Sequence, residues 1–227
     1  MNEEQLEKYI KDLGIARDKI LREEAEMEIL NELGKNKIGS KLIFYGGTAL
    51  RLVYGSPRFS EDIDLMVVGR ANFNEFRAFA IKIADKNGWK IKDIKDKRQT
   101  MFALVLIKDL KMKHAFSVKL EIHKPAGKIN IKTELRLVKS PLSILEPLLL
   151  VPTLEELKRL KEAALLGRKK ARDIFDIWYI SQSLREPLVL PKKLPKYKER
   201  EFNNELKVFL PKKYYPIIKE LYGKINK

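Results

Sequence analysis

Two aspartates stand two positions apart in the segment RFSEDIDL, residues 58–65. In an extended strand, residues i and i+2 point to the same side, so Asp62 and Asp64 share one face while Ile63 and Leu65 point into a core. Two close carboxylates repel each other, and a divalent cation such as Mg²⁺, which prefers oxygen ligands, removes that cost. Solvent-facing acids at the start of a strand give the same pattern equally often. The pair alone therefore leaves both interpretations open.

A glycine turn precedes these acids. Gly46, Gly47 and Thr48 follow the apolar segment KLIFY, residues 41–45, and begin a segment with helical character. Free backbone N–H groups and a hydroxyl at a helix N-terminus suit a phosphate, and glycine lets the backbone approach a ligand closely. A simple tight turn is the more common meaning of two adjacent glycines. The turn is a candidate nucleotide-binding element, and Ser60 in the next segment is a further candidate.

A third acid lies on another predicted strand. Residues 117–123 alternate between apolar and polar side chains, and Glu121 shares its face with Lys119 and His123. Glu121 could simply pair with Lys119 or with Lys124. Given the aspartate pair, metal ligation by Glu121 is the favoured hypothesis. His123 is as typical of a strand surface as of a functional site.

A second group of charged residues lies in KEAALLGRKKARDIFDIWYI, residues 161–180. Lys161 and Arg172 stay charged and donate strongly, which would suit a phosphate. Asp173 and Asp176 fall near the start of a predicted helix, where the dipole favours acids. Ion pairing between adjacent helices explains the same spacing and is the simpler interpretation.

The elements that must position these residues change in kind near residue 140. Apolar and alternating segments predict strands at residues 41–45, 63–68, 101–107 and 115–123, with strand-like pieces in 129–138. Helical spacing predicts helices at residues 3–33, 48–54, 73–86, 142–150, 154–166, 171–183, 201–210 and 211–222. This order predicts an α/β fold class, with one domain over residues 1–140 and a helical domain over residues 141–227.

Composition restricts the class of protein. The chain has 227 residues, 44% of them hydrophobic, which is typical of a folded chain with a core. Cys is absent, which excludes disulfides, thiolate zinc sites and a Cys nucleophile. No segment offers the ~20 uncharged apolar residues of a membrane helix, and the acidic first segment lacks a signal-peptide pattern. We therefore expect a cytoplasmic protein with no membrane partner.

The net charge of +16 is unevenly distributed. Residues 82–139 carry 16 Lys and Arg against 6 Asp and Glu, and residues 191–227 carry 11 against 4. Because Lys and Arg displace counterions from phosphates, such segments suit a polyanion such as RNA. A solvated basic surface that keeps the protein soluble is an equally good explanation of the charge count. The candidate RNA contacts in the last segment are Lys192, Lys193, Lys196 and Lys198.

Two longer segments together resemble a known family. YGGTALRLVYGSPRFSEDIDL, residues 45–65, and KEAALLGRKKARDIFDI, residues 161–177, are similar to the AbiEii toxin family of nucleotidyltransferases, which includes the MenT toxins and belongs to the DNA polymerase β-like superfamily. The resemblance implies a nucleotidyltransferase fold with a small mixed sheet and a helical C-terminal domain that completes the active site. No motif covers the chain beyond about residue 185.

The resemblance also implies roles for single residues. The glycine turn would hold a nucleoside triphosphate, and two Mg²⁺ ions would be held by the two aspartates together with the third acid. Lys161 and Asp176 match the Lys and Asp that the family uses at its active site, whereas the roles of Arg172 and Asp173 stay open. The residues concerned are Gly46, Gly47, Thr48, Asp62, Asp64 and Glu121.

The acceptor is the least determined part of the function. The resemblance favours a toxin-like enzyme that adds nucleotides from an NTP to RNA, in particular to the 3′ end of tRNA, with release of pyrophosphate. Transfer to a protein or a small molecule is one alternative, and a non-catalytic nucleotide- or RNA-binding module is another. A cognate antitoxin is the expected protein partner, and the acidic face of residues 3–33 is one candidate docking surface.

Overall fold

The fold begins with two helices where the sequence predicts one. In a computed structural model, which describes residues 1–127, 130–191 and 194–225, α1 spans Glu3–Leu13 and α2 spans Arg17–Lys35. Asn2 caps α1, and Gly14 ends it in the left-handed conformation at φ 59°. Glycine adopts this conformation without the steric cost of a Cβ, which makes it the usual residue after a helix. The prediction of a single helix over residues 3–33 is therefore wrong.

A five-stranded mixed sheet forms the centre of the molecule. The strands are β1 (Leu42–Tyr45), β2 (Asp62–Val67), β3 (Lys90–Asp96), β4 (Thr100–Ile107) and β5 (Phe116–His123). Their order is β1-β2-β5-β4-β3, and only the β2–β5 pair is parallel among these strands. Two helices lie between the strands in sequence: α3 spans Gly46–Leu52 and α4 spans Phe73–Lys86.

Strand alternation separates a packed face of the sheet from a polar face. Every second residue of β4 and β5 is buried, and α2 and α4 cover that face. Leu65, Leu120 and Ile122 belong to this core together with Leu30 of α2 and Phe79 of α4. Because side chains alternate along a strand, the residues between them face away from the helices. The polar face of β2 and β5 is therefore free to carry a site.

The second half of the described chain is mainly helical. A two-stranded sheet, β6 (Thr133–Leu137) with β7 (Leu148–Pro152), precedes four helices. These are α5 (Leu154–Gly167), α6 (Ala171–Ser183), α7 (Glu199–Phe209) and α8 (Tyr215–Ile225). Their apolar faces form a separate core that includes Phe175, Phe202 and Leu221. The mixed α/β fold with a small mixed sheet is as the sequence predicts.

Contacts between the two halves fix their relative position. Leu50 of α3, Leu157 of α5 and Ile180 of α6 form a small buried cluster of their own. The backbone N–H of Phe59 donates to the carbonyl of Phe209 at 2.8 Å, which ties the segment before β2 to α7. The elements that carry the two sequence motifs are therefore held against each other.

Two further segments differ from the prediction. Residues 142–150 do not form a helix: they are a loop followed by β7, which pairs with β6. Pro141 precedes this segment and Pro147 lies within it, and a proline in a helix interior removes a backbone hydrogen bond and disfavours helical conformation in the residue before it. The edge strand β3 escapes prediction because its sequence, KIKDIKD, is mostly charged and exposed. The predicted strand pieces begin at Ile129, which lies outside the described residues, and the division at residue 140 stays a prediction.

None of the helices in the described residues is long and apolar enough to cross a membrane.

Candidate active site

Three acids lie side by side on the polar face of the sheet. In the parallel β2–β5 pair, Asp62 is opposite Lys119 and Asp64 is opposite Glu121. The alternation of burial along both strands places all four side chains on the face away from α2 and α4. The sequence predicts that Asp62 and Asp64 share one face of the strand while Ile63 and Leu65 are buried on the other. The structure has this arrangement.

The ammonium of Lys119 lies between two of these acids. Its Nζ is 3.1 Å from Asp62 Oδ2 and 3.1 Å from Glu121 Oε2. Burial lowers the pKa of Lys119, but the nearby Asp62 and Glu121 carboxylates raise it more, so that it lies above its ordinary value. The pairing of Glu121 with Lys119 that the sequence leaves open is present here.

The glycine turn packs directly on the acidic pair. Gly46 has φ 85°, and a Cβ built on it would lie 2.4 Å from Asp64 Oδ2. Gly47 is equally confined, since its Cβ would lie 2.5 Å from Arg58 Nη2 and 2.9 Å from Ser60 Oγ. Both positions require glycine because neighbouring side chains leave no room for a Cβ. At Gly46 the positive φ is a second reason, since residues with a side chain rarely adopt it.

Thr48 uses its hydroxyl inside the protein. Thr48 is buried, and its Oγ1 donates to the carbonyl oxygen of Asp62 at 2.5 Å. This bond links the first turn of α3 to the start of β2. In this geometry the hydroxyl holds the acidic strand against the glycine turn and does not open into the cavity.

A buried carboxylate joins the two sequence motifs. Asp176 of α6 is fully buried; Arg58 Nε and Nη2 donate to it at 2.6 and 2.8 Å, and Lys161 Nζ lies 2.6 Å from its Oδ2. Burial alone would raise the pKa of Asp176, but the charges of Arg58 and Lys161 outweigh it and hold the pKa below its ordinary value. Asp176 is thus an anion that neutralises two buried cations.

A second ion pair closes the turn between α5 and α6. Arg168, at the end of α5, donates to both carboxylate oxygens of Asp173 at 2.8 and 2.9 Å. Lys161 Nζ also lies 3.4 Å from Asp173. The ion pairing between adjacent helices that the sequence suggests is therefore present, and it orients Lys161 and Arg168 together.

These groups surround a cavity of about 420 Å³ between the sheet and α5. One wall carries the acids Asp64 and Glu121, and the facing wall carries the cations Lys161 and Arg168. The remaining lining residues are Tyr45, Gly46, Thr100, His123, Leu157, Leu160, Ala164 and Gly167. The cavity thus combines carboxylates, fixed cations and an apolar stretch of α5, and its size suits a small ligand.

Asp64, on the acidic wall, has a strongly raised pKa. Burial, and next the charge of Asp62, raise its pKa from 3.8 to about 6. The Lys161 and Lys119 charges oppose that rise. Among the described residues Asp64 has no hydrogen-bond or ion-pair partner, so its carboxylate is available to a ligand in the cavity.

Most predicted site residues meet in this region, but not all line the cavity. Gly46, Asp64, Glu121 and Lys161 lie on its wall. Five others support the wall from behind or beside it: Gly47, Thr48, Ser60, Asp62 and Asp176. Arg172 points elsewhere: its guanidinium lies 5.9 Å from the Phe209 ring, and its backbone N–H bonds to Glu205. Its nucleotide-binding role stays a prediction without support from this geometry.

Sequence reasoning assigned no role to several residues of the site. Arg58 is the largest of the fully buried side chains in the described part of the chain, and charged residues are almost never fully buried unless paired. Its partner lies 118 positions away, so no local pattern reveals the pair. Arg168 and Tyr45 also line the cavity, and His123, left undecided from the sequence, does so too. In the sequence, these two arginines are marked only by their position within the two motifs, a few residues before the acids: Arg58 before Asp62, and Arg168 before Asp173.

The carboxylates fit an open metal site. No three of the described His, Asp and Glu side chains already converge into a closed metal cage. Asp62, Asp64 and Glu121 nevertheless offer hard oxygen donors on one face, and Mg²⁺ characteristically takes few protein ligands while keeping waters and substrate phosphates. The donor chemistry therefore suits Mg²⁺ in an incomplete protein site.

Comparison with solved structures defines the class of fold. The chain is similar to a Helicobacter pylori protein described as a candidate nucleotidyltransferase, with 20% identity, TM-score 0.55, and coverage of 92% of this chain and 83% of that one. It is also similar to JHP933 from Helicobacter pylori, with 22% identity, TM-score 0.55, and coverage of 74% and 68%. The fold is thus nucleotidyltransferase-like. The comparison with curated proteins returned no match.

A family model gives the assignment. The model described as "Nucleotidyl transferase AbiEii toxin, Type IV TA system" matches residues 28–213, which include both sequence motifs. The chain belongs to the AbiEii family of nucleotidyltransferase toxins, and it is a nucleotidyltransferase. The family places it in a type IV toxin–antitoxin system, with an NTP as substrate and an antitoxin as partner.

The buried triad of Arg58, Asp176 and Lys161 leads to a prediction about stability. Asp176→Asn leaves Arg58 and Lys161 without a buried counter-charge, and removing one partner of a buried pair costs about 3–5 kcal/mol. We expect a loss of that size in the free energy of unfolding, measured by urea denaturation at pH 7. The matched control is Asp93→Asn, whose ion pair with Lys95 lies on the exposed edge strand and contributes about 0–1 kcal/mol. Equal losses in the two variants would contradict the triad.

The crowded acids generate a pH prediction. Because the folded protein raises the pKa of Asp64 from 3.8 to about 6, stability is lost as the pH rises through about 6. Asp64→Asn removes that cost, so the variant should be more stable than the wild type at pH 8 by about 1–3 kcal/mol and no more stable at pH 4. Thermal unfolding in metal-free buffer measures the difference. A wild type more stable than the variant at pH 8 would refute the assignment.

Proposed function

We propose that the chain transfers a nucleotidyl group from an NTP to an RNA acceptor in an Mg²⁺-dependent reaction, with the 3′ end of tRNA as the favoured acceptor and the cytoplasm as the place of action. One observation carries the proposal: Asp64 and Glu121 face Lys161 and Arg168 across one cavity. A triphosphate needs both kinds of group, since cations bind its oxygens directly and carboxylates bind it through a divalent ion.

The cationic wall would hold the triphosphate. Lys161 and Arg168 are oriented by Asp173, and Lys161 is further fixed by Asp176, so that neither needs to reorganise when charge develops on the phosphates. Leu157 and Leu160 of α5 line the same cavity and offer an apolar surface to the sugar or base. We propose that Gly46 lets the turn pack directly against Asp64, because a Cβ at this position would collide with the Asp64 carboxylate, and that it thereby keeps this acid at the wall where the phosphates would bind.

The acidic wall would hold the divalent ion. Asp62, Asp64 and Glu121 are the residues that would bind it, and Asp64 has its carboxylate free for the purpose. When bound, Mg²⁺ supplies Lewis-acid polarisation of the phosphate and lowers the pKa of a bound hydroxyl.

The reaction breaks a phosphoanhydride bond of the NTP and forms a phosphodiester bond to the acceptor. The acceptor hydroxyl oxygen forms a bond to the α-phosphorus, the bond from the α-phosphorus to the bridging oxygen of the β-phosphate breaks, and pyrophosphate leaves. The hydroxyl proton passes to solvent. Lys161 would neutralise charge that develops on the phosphates during this step.

Asp176 acts through other residues in this proposal. It is fully buried and contacts Arg58 and Lys161, which leaves it no access to a substrate in the cavity. We therefore propose that Asp176 is a positioning residue for Lys161 and not a ligand of the base or ribose.

The basic surface supports RNA over a neutral acceptor. Lys196 and Lys198, which precede α7, are exposed, so they are accessible to a phosphate backbone. Lys192 and Lys193, which the sequence also suggests as RNA contacts, lie outside the described residues. In the predicted acidic docking surface for the antitoxin, Glu3 and Glu7 already pair with Arg17, and that surface stays a prediction.

The destination of a labelled nucleotide tests the proposal. The wild type is incubated with Mg²⁺, total cellular RNA, total cellular protein and each α-labelled NTP in turn, and the products are separated by size and by RNase treatment. We expect label in RNase-sensitive material of tRNA size. Label in protein or in a small molecule would show that the acceptor is not RNA. No transfer with any NTP would refute the activity.

Asp62→Ala/Asp64→Ala is the inactive variant for this experiment. Both carboxylates belong to the proposed ion site, so we expect transfer to fall below detection, by at least about 10³-fold, while the folded state persists. Far-ultraviolet circular dichroism verifies folding. Lys95→Ala, on the exposed edge strand, serves as a charge-altering control with near wild-type transfer. Retained transfer in the double variant would contradict metal binding by these residues.

A further inference from the structure

The Lys119 side chain occupies a position where a second cation would otherwise be needed. We propose that its ammonium permanently replaces one of two divalent ions, so that the active site binds a single divalent ion together with the NTP. This inference rests on the proposed function, since it concerns how the same acidic wall is neutralised. It differs from the two Mg²⁺ ions that the family resemblance implies.

Strand geometry fixes Lys119 in this place. Lys119 and Glu121 are two positions apart on β5 and share a face, while Asp62 lies directly opposite Lys119 on β2. The resulting distances of 3.1 Å from Nζ to Asp62 Oδ2 and to Glu121 Oε2 place the ammonium in an ion pair with each carboxylate. Any divalent ion bridging the same two oxygens would have to displace the ammonium.

The charges on this wall are balanced by one ammonium and one divalent ion. Asp62, Asp64 and Glu121 bring three negative charges onto one face, and Lys119 brings one positive charge among them. A single divalent ion therefore brings the four groups to neutrality. A second would leave a net charge of about +2 on the partly buried wall before the triphosphate arrives, which is costly away from bulk water.

The three acids are not equivalent in this arrangement. Asp62 and Glu121 each give one oxygen to Lys119, whereas Asp64 gives none to any described residue and lines the cavity. Asp64 is therefore the main protein ligand of the single ion. The facing cations, Lys161 and Arg168, serve the phosphate oxygens that a second ion would otherwise bind.

Counting bound Mn²⁺ tests the inference without any acceptor or transfer. The chain is dialysed to equilibrium against Mn²⁺ and each of the four nucleoside α,β-methylene triphosphates in turn. Mn²⁺ and nucleotide retained by the protein are then quantified, and electron paramagnetic resonance records the spin state. We expect one Mn²⁺ per retained nucleotide, with the six-line spectrum of an isolated ion. Two ions about 3.5–4 Å apart would instead show a spin-coupled spectrum.

Variants at Lys119 give the complementary result. Lys119→Ala removes the ammonium and opens space, so we expect two Mn²⁺ per nucleotide and spin coupling. Lys119→Arg keeps a positive charge, and Lys95→Ala removes an exposed Lys of the neighbouring edge strand; we expect one Mn²⁺ in both. A purely structural role of Lys119 would not change the number of ions.

The outcomes separate this inference from the proposed function. Two coupled Mn²⁺ in the wild type, or one in a folded Lys119→Ala variant, would overturn the role of Lys119 and leave the metal-dependent reaction intact. No Mn²⁺ or no nucleotide retained by the wild type would overturn both. The wild-type count is decisive by itself, so the inference stays testable even if Lys119→Ala fails to fold.

Discussion

The buried triad of Arg58, Asp176 and Lys161 is the constraint on which the site depends. Asp176 lies on α6, Lys161 on α5 and Arg58 in the segment before β2, so one carboxylate joins three elements from both halves of the chain. Buried charges are costly unless each finds its partner, so the triad favours the arrangement of the helices against the sheet in which all three groups meet. As a result, the Lys161 ammonium is oriented at the cavity wall.

Sheet pairing and the glycine turn hold the acids of the wall close together despite their mutual repulsion. Asp64 is held beside Asp62 under a glycine turn that leaves no room for a Cβ, and its raised pKa records the cost of that position. Proteins commonly accept such local costs at functional sites, where perturbed groups gather. The β2–β5 pairing keeps the acids close, and the Lys119 ammonium between Asp62 and Glu121 offsets part of their repulsion.

Much of the fold, and the main residues of the site, could be predicted from sequence because their signals are local. The β2 alternation placed Asp62 and Asp64 on one face, and apolar spacing gave α4 and α6 with correct bounds. The failures have physical causes: a single left-handed Gly14 divides the first helix, and charged residues conceal β3. Arg58 escaped prediction because its partner, Asp176, lies on a distant helix. For Lys119 the sequence suggested the pair with Glu121 but not the contact with Asp62, which lies on another strand.

A crystal structure of the chain with Mn²⁺ and a non-hydrolysable NTP tests the central claim most directly, with anomalous scattering locating the metal. The account predicts the triphosphate between Asp64 and Lys161, with Mn²⁺ on Asp64 and Asp176 still paired with Arg58 and out of contact with the nucleotide. A nucleotide in the separate cavity of about 330 Å³ beside Arg51 and Tyr214 would contradict it. So would an Asp176 carboxylate released from Arg58 to bind the substrate.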